Sequence, residues 1–187
     1  MKDSKLRVLL PADRIQARIR EMGEEISRDY PDGNLHFICI LKGACFFLTD
    51  LARAMKRDVF VDFMGISTYG KGKSTSGEVK VTKDLDISLE GADVLIVEDI
   101  IDSGVTLNYL MKVLEQRKPK SVRVVALLDK PERRLRPVPI SYVGFEIPDE
   151  FVVGYGLDYA EKYRNLDDIC VMDGASMSGN SKTSDGR

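Results

Sequence analysis

The sequence predicts an α/β fold in which a mainly parallel central sheet is flanked by helices. Two observations predict it. Short, nearly continuous apolar runs, the signature of strands buried on both faces, alternate with longer stretches whose apolar residues fall at helical spacing, and such alternation builds parallel sheets through crossover helices. The composition agrees. Of 187 residues, 43% are apolar and 31% charged, which supports one sizeable core and argues against a disordered chain.

Residues 11–29, PADRIQARIREMGEEISRD, carry Ile15, Ile19, Met22 and Ile26 on one helical face. Pro11 suits a first helical turn, and Pro31-Asp32-Gly33 ends the segment. Residues 35–41, LHFICIL, read as a central strand. Gly43-Ala44 opens a helix over 45–55, and 59–66 alternates as a second strand. Residues 67–78, STYGKGKSTSGE, are rich in Gly, Ser, Thr and Lys and predict a mobile loop, with a short strand over 79–81 beyond it. A strand over 94–98 follows, then a helix over 106–117 with Leu107, Leu110, Met111 and Leu114 on one face. Strands are predicted over 121–128, 140–143 and 151–153. The chain shows no internal repeat. One domain is expected over 1–173, and the tail over 174–187, GASMSGNSKTSDGR, is expected to be disordered because it lacks large apolar residues other than Met177.

Several function classes lose support at this point. A net charge of −2 gives no bulk attraction for nucleic acid or an acidic membrane. No apolar run approaches the roughly 20 residues that cross a bilayer. Val8-Leu9-Leu10 before Pro11 is too short for a signal-peptide core. Cys39, Cys45 and Cys170 show no CxxC spacing, which suggests reduced thiols and a cytoplasmic location, with Cys39 and Cys45 packing as small apolar residues. His36 is the sole histidine, so a zinc site lacks ligands. Gly72-Lys73-Ser74 imitates the end of a nucleotide-binding P-loop, but Ser67 stands where that pattern needs glycine, and no apolar-periodic helix follows.

The stretch over 94–106, VLIVEDIIDSGVT, is the most informative. A buried strand delivers Glu98 and Asp99 to the carboxyl end of the sheet, where ligands of open α/β sheets bind. Asp102, Ser103, Gly104, Val105 and Thr106 then lead into a helix. Such a turn aims backbone N–H groups and the positive helix end at one point, a natural phosphate cradle. Ser103 and Thr106 add hydroxyls, and Gly104 permits close approach of the backbone. Carboxylates beside an anion site suggest sugar hydroxyls, a divalent metal or both. The plain alternative is a strand and a capped helix with solvated acids.

VLIVEDIIDSGVTL resembles the phosphoribosyl-pyrophosphate signature of the type I phosphoribosyltransferases. LKGA at 41–44, STYG at 67–70, LLDKPERR at 127–134 and PDEFVVGYGLDYAEKYRNL at 148–166 are similar, in the same order, to the other signatures of the hypoxanthine–guanine phosphoribosyltransferase family. The resemblance covers about residues 8–173. It implies the type I fold with a small hood region, and transfer of a 5-phosphoribosyl group from phosphoribosyl pyrophosphate to a 6-oxopurine. It implies that Glu98 and Asp99 hold the ribose hydroxyls, partly through Mg²⁺, and that Asp102 is the general base for the purine N7 proton. Ser103, Gly104, Val105 and Thr106 would hold the 5′-phosphate. Lys42 and Gly43, with a cis peptide before Lys42, would meet the pyrophosphate, as would Arg164. Lys130 would donate to the purine 6-oxo group, Phe151 would stack on the base, and Val152 would offer backbone contacts. Asp158 would serve a second Mg²⁺ position close to the base. Thr68 and Tyr69 would sit on a lid over 67–78. The family also implies a homodimer or homotetramer.

The chemistry is coherent. A lysine, all donor and no acceptor, matches a 6-oxo group better than the 6-amino group of adenine. Each residue also has a plainer reading: Lys130 as a loop lysine, Phe151 as core, Arg164 as a partner of Glu161, Asp158 as a cap. Two departures from the family pattern stand out. Ala44 replaces a frequent glycine, and Val105 replaces a commonly polar residue. A different class remains open through KPERRLRP at 130–137, whose four basic residues could touch RNA, as in a transcriptional regulator on the same fold. The acids that balance them overall, and the absence of interleaved aromatics, argue against nucleic acid as a partner.

Overall fold

The structure, a computed structural model, describes residues 5–69 and 78–173. The middle of the expected lid, 70–77, the P-loop look-alike within it and the expected disordered tail, 174–187, lie outside the described residues.

Six strands form the main sheet: β2 (Leu35–Leu41), β3 (Phe60–Tyr69), β4 (Glu78–Lys83), β5 (Asp93–Ile101), β6 (Ser121–Asp129) and β7 (Tyr142–Glu146), in the order β4-β3-β2-β5-β6-β7. All neighbours run parallel except β3 and β4, which pair antiparallel at one edge. Helix α1 (Ala12–Asp29) and α2 (Cys45–Ala54) cover one face, and α3 (Val105–Glu115) covers the other. The helical spacing in α1 is realised: Ile15, Ile19, Met22 and Ile26 are all buried. Gly23 in that helix lets α2 come close, since a Cβ there would lie 2.8 Å from the Ala54 Cβ.

β2 is buried along almost its whole length, as its unbroken apolar run requires. From β2 the chain crosses through α2 to β3 on one side, and from β5 it crosses through α3 to β6 on the other. The strand order therefore reverses between β2 and β5. Their carboxyl ends open a crevice there, the place where ligands bind in open α/β sheets.

Several boundaries differ from expectation, among them the helix expected over 106–117, which is Val105–Glu115, and three differences bear on the site. β5 continues through the acids to Ile101, because Glu98, Ile100 and Ile101 remain in register with Ala126, Leu128 and Asp129 of β6. Residues 67–69 and 78, expected in the loop, belong to β3 and β4, where Ser67, Thr68 and Tyr69 pair with Lys80, Val79 and Glu78. The strand expected over 140–143 lies further on, at β7, while Ile140 packs with the α3-side core. A second sheet was not anticipated: β1 (Leu6–Leu10), β9 (Ile169–Met172) and β8 (Val152–Val153) run antiparallel in the order β1-β9-β8. It holds the segment carrying Phe151 and Val152.

Candidate functional site

A pocket of about 320 Å³ lies at the crevice between β2 and β5. Three parts of the chain carry its polar lining: Lys42 and Gly43 after β2, the run from Glu98 and Asp99 in β5 through Asp102, Ser103, Gly104 and Thr106 into α3, and Asp158 with Arg164 from the loop between β8 and β9; Ile66 of β3 adds an apolar wall. Ten of the residues singled out in the sequence thus share one cavity. Val105 begins α3 beside it. Lys130, Phe151 and Val152 lie on neighbouring elements and do not line it. Thr68 and Tyr69 end β3, where the chain enters the expected lid.

The Leu41–Lys42 peptide is cis, as the resemblance implies. Gly43 packs directly on Asp99: a Cβ there would fall 1.7 Å from Asp99 Oδ2. Only glycine leaves room for that carboxylate. Ala44, by contrast, takes an ordinary right-handed conformation and is fully buried, so its departure from the family glycine removes no freedom that this backbone uses.

Glu98 and Asp99 are two adjacent acids at the pocket floor, and desolvation acts on both. Burial, then the neighbouring Asp99, push the Glu98 carboxyl well above the usual range. Burial raises Asp99 to about 6, opposed by backbone N–H donors and by Arg164. Such a pair favours a facing cation. Among the described residues no three His, Cys, Asp or Glu side chains gather as a metal-ligand cluster. Two adjacent carboxylates suit a hard cation that draws its remaining oxygens from substrate and water, as Mg²⁺ does, and Asp158 is near enough to act on the Asp99 charge.

Gly104 has φ +77°, a left-handed conformation that glycine adopts without strain. The close approach it permits is to the chain itself: a Cβ would meet the Arg136 carbonyl at 2.6 Å and Val138 at 2.8 Å. The Ser103 carbonyl accepts from the Leu135 and Arg136 N–H groups, at 3.0 and 3.1 Å. The phosphate-type turn is thus braced by the stretch after β6. α3 starts at Val105 and directs its positive end into the turn.

Lys130 is buried, 4% exposed, and its Nζ donates to the Glu150 carbonyl at 2.6 Å. Burial lowers its pKa, opposed by Asp102 and Asp149. The solvated-loop reading of this lysine fails. Phe151 is half-buried, with its ring edge-on to Tyr159 at 5.7 Å, and packs against Val153, Cys170 and Met172. Val152 is buried in β8. Asp158 accepts from the Glu161 N–H at 2.9 Å, the capping reading, although the segment forms a turn rather than a helix. Arg164 pairs with Asp158 at 2.8 Å and with Glu161 at 3.3 Å.

Two contributors escaped the sequence reading, and a third was foreseen only in part. Glu161, read from the sequence as a partner of Arg164, also pairs with Lys42. Arg133 pairs with Asp102 at 2.6 Å and with Asp149 at 3.4 Å. Arg134 pairs with Asp129. The signal for the two arginines lay in KPERRLRP, whose charge suggested an outside partner when in fact acids of this chain meet it. Elsewhere, His36 stacks on Phe60 with centroids 4.7 Å apart. Cys39, Cys45 and Cys170 are free thiols. No helix among the described residues is long and apolar enough to cross a membrane.

A crevice with an acid pair, a glycine turn at a helix start and a cis peptide on the facing strand defines a sugar-phosphate-handling α/β domain. Residues 9–160 match the model of the phosphoribosyl transferase domain, and the chain belongs to the phosphoribosyltransferase family. It is 49% identical over 172 residues to the hypoxanthine-guanine phosphoribosyltransferase of Bacillus subtilis, covering 92% of this chain and 96% of that one. It is 52% identical over 166 residues to the bifunctional protein TilS/HprT of Listeria innocua, covering 89% of this chain; the match spans only 26% of that longer relative. A crystal structure of a hypoxanthine phosphoribosyltransferase from Staphylococcus aureus superposes with a TM-score of 0.87 at 45% identity, covering 91% of this chain and 92% of that one.

Proposed function

We propose that this chain is a purine-salvage enzyme, acting as a single domain over 1–173. It transfers the 5-phosphoribosyl group from 5-phosphoribosyl 1-pyrophosphate to N9 of hypoxanthine or guanine, giving IMP or GMP and pyrophosphate. One observation carries the reading: the pocket joins a phosphate-type turn, an acid pair and two cations from three parts of the chain.

Each group has a task. Residues 103–106 and the start of α3 take the 5′-phosphate. Glu98 and Asp99 accept hydrogen bonds from the ribose hydroxyls. Lys42, the backbone at Gly43, and Arg164 hold the pyrophosphate. Asp102 accepts the N7 proton as N9 attacks C1′. Lys130 donates to the 6-oxo group, Phe151 covers one face of the base, Val152 offers its backbone and Asp158 stands close by. Thr68 and Tyr69 lead into the lid. Glu98 and Asp99 would hold Mg²⁺ with substrate oxygens, Asp158 would serve a second Mg²⁺ position, and the metal would neutralise charge on the leaving pyrophosphate.

Free thiols fit a cytoplasmic location, and a homodimer or homotetramer is the assembly that the family suggests. The RNA-regulator reading loses its support in the burial of Lys130 and in the pairing of Arg133 and Arg134 with acids. The deciding measurement is turnover with hypoxanthine, guanine, xanthine and adenine, each with phosphoribosyl pyrophosphate and Mg²⁺. Conversion of hypoxanthine or guanine with adenine inert is expected. No nucleotide from any 6-oxopurine would end the proposal.

A further inference from the structure

Asp102 has a partner that the reaction described above leaves unused. Arg133 closes the short 3-10 turn after β6, and its Nε lies 2.6 Å from Asp102 Oδ1. The turn is fixed beside Asp102, because the Lys130 N–H donates to the carbonyl of Ile101, the preceding residue, at 3.0 Å. The same guanidinium meets Asp149 Oδ1 at 3.4 Å, on the stretch that leads to Phe151. Arg134, the next residue, turns instead to Asp129.

The two oxygens of Asp102 are not equivalent. Oδ1, which faces Arg133, is shut off from solvent and accepts no aligned hydrogen bond among the described residues, so charge attraction at 2.6 Å holds it. Yet the Asp102 side chain as a whole is 42% exposed, and the residue lines the pocket. Oδ2 is therefore the oxygen left open. Both side chains are partly exposed, Arg133 at 34% and Asp102 at 42%, and pairs between such side chains contribute little to folding, so stability gives a weak reason for the arrangement. Geometry gives a better one: a general base acts when one lone pair is aimed and the carboxylate cannot swivel.

We infer that Arg133 is a positioning residue for Asp102: it fixes Oδ1 so that Oδ2 receives the N7 proton. The inference rests on the transferase reading. In the step it serves, the N7–H bond breaks and the proton goes to Oδ2, the N9–C1′ bond forms, and the C1′–oxygen bond to pyrophosphate breaks with its electron pair on the leaving group. Through Asp149, the same guanidinium ties the base's carboxylate to the segment that covers the purine.

The test compares wild type, Arg133→Gln, Asp102→Asn and the double variant, reading kcat, KM for each substrate and the thermal midpoint. Arg133→Gln is expected to lower kcat about tenfold, with KM for phosphoribosyl pyrophosphate and the midpoint unchanged. The double variant should be no slower than Asp102→Asn alone, because nothing remains to be positioned. Multiplied losses in the double variant, or a wild-type kcat in Arg133→Gln, would overturn the inference while leaving the transferase reading intact. So would a raised kcat, which would make the pair a restraint that must open. A wild type inactive on every 6-oxopurine would overturn the transferase reading, and this inference with it.

Discussion

Lys42 Nζ meets Glu161 Oε2 at 3.1 Å, and the same oxygen lies 3.3 Å from Arg164. Hydrogen bonds from Lys42 first, then Arg164, hold the Glu161 carboxyl below its usual range. An anion of the chain itself thus joins the two cations proposed for pyrophosphate. Because Lys42 and Glu161 are both well exposed, the pair is weak and readily displaced.

Glu161→Gln removes that competing charge. KM for phosphoribosyl pyrophosphate is expected to fall about threefold at low salt, with the difference fading as salt screens exposed charges. Initial-rate kinetics at two ionic strengths check it. A raised KM would show instead that Glu161 holds the two cations in place.

Asp102→Asn keeps the size of the side chain and removes the base. IMP should bind as before, while the single-turnover rate falls by about 10²–10⁴-fold, the usual span for general base catalysis. Rapid-quench measurements read the chemical step directly, and an unchanged rate would remove Asp102 from this role.

Gly43→Ala drives a Cβ into the space held by Asp99 Oδ2. The atom in the way ends a side chain, so the carboxylate yields and the fold survives. The loss should therefore appear in function: kcat/KM for phosphoribosyl pyrophosphate falls on the order of 10–100-fold, as misplacement of a reacting group by about 1 Å does. The thermal midpoint serves as control, and full activity would show that Asp99 has no fixed task.

His36 offers a pH test away from the pocket. Burial holds its pKa below the ordinary value, with Asp62 opposing. Below an unfolded value of about 6.5, the unfolded chain binds a proton that the folded chain refuses. The His36 contribution to stability should therefore decline as pH falls from about 6.5 to the folded pKa and level off beneath it, while the raised carboxyls of Glu98 and Asp99 work in the opposite direction. As the sole histidine, its ring protons can be followed by NMR without assignment. The difference in stability between wild type and His36→Gln isolates this contribution and should vary with pH over that window; a constant difference would exclude it.

Much of this was legible in the residues. The parallel sheet followed from apolar runs such as LHFICIL, and the crevice followed from acids and a glycine turn at a strand's end. What stayed hidden depended on distant pairing. Leu6 pairs with Met172, and Val8, which is 50% exposed, pairs with Cys170; neither short segment has a local pattern that announces its partner. The β5 boundary was placed too early because acids disfavour strands, whereas register with β6 carries the strand past them. Arg133 looked like a solvent-facing charge because a basic run reads the same whether acids meet it from within or from outside. Lys130 could be placed in the interior only once β7 and β8 had brought the Glu150 carbonyl to it.

That last contact changes what the lysine can contribute to recognition. Its ammonium carries three N–H donors, so the Glu150 carbonyl occupies one and, on the proposed function, the others remain for a 6-oxo group. The carbonyl holds the ammonium in place before the base arrives, and a 6-oxopurine would then meet a donor already aimed. The 6-amino group of adenine offers that donor no acceptor while displacing its water, at a cost of roughly 1–3 kcal/mol.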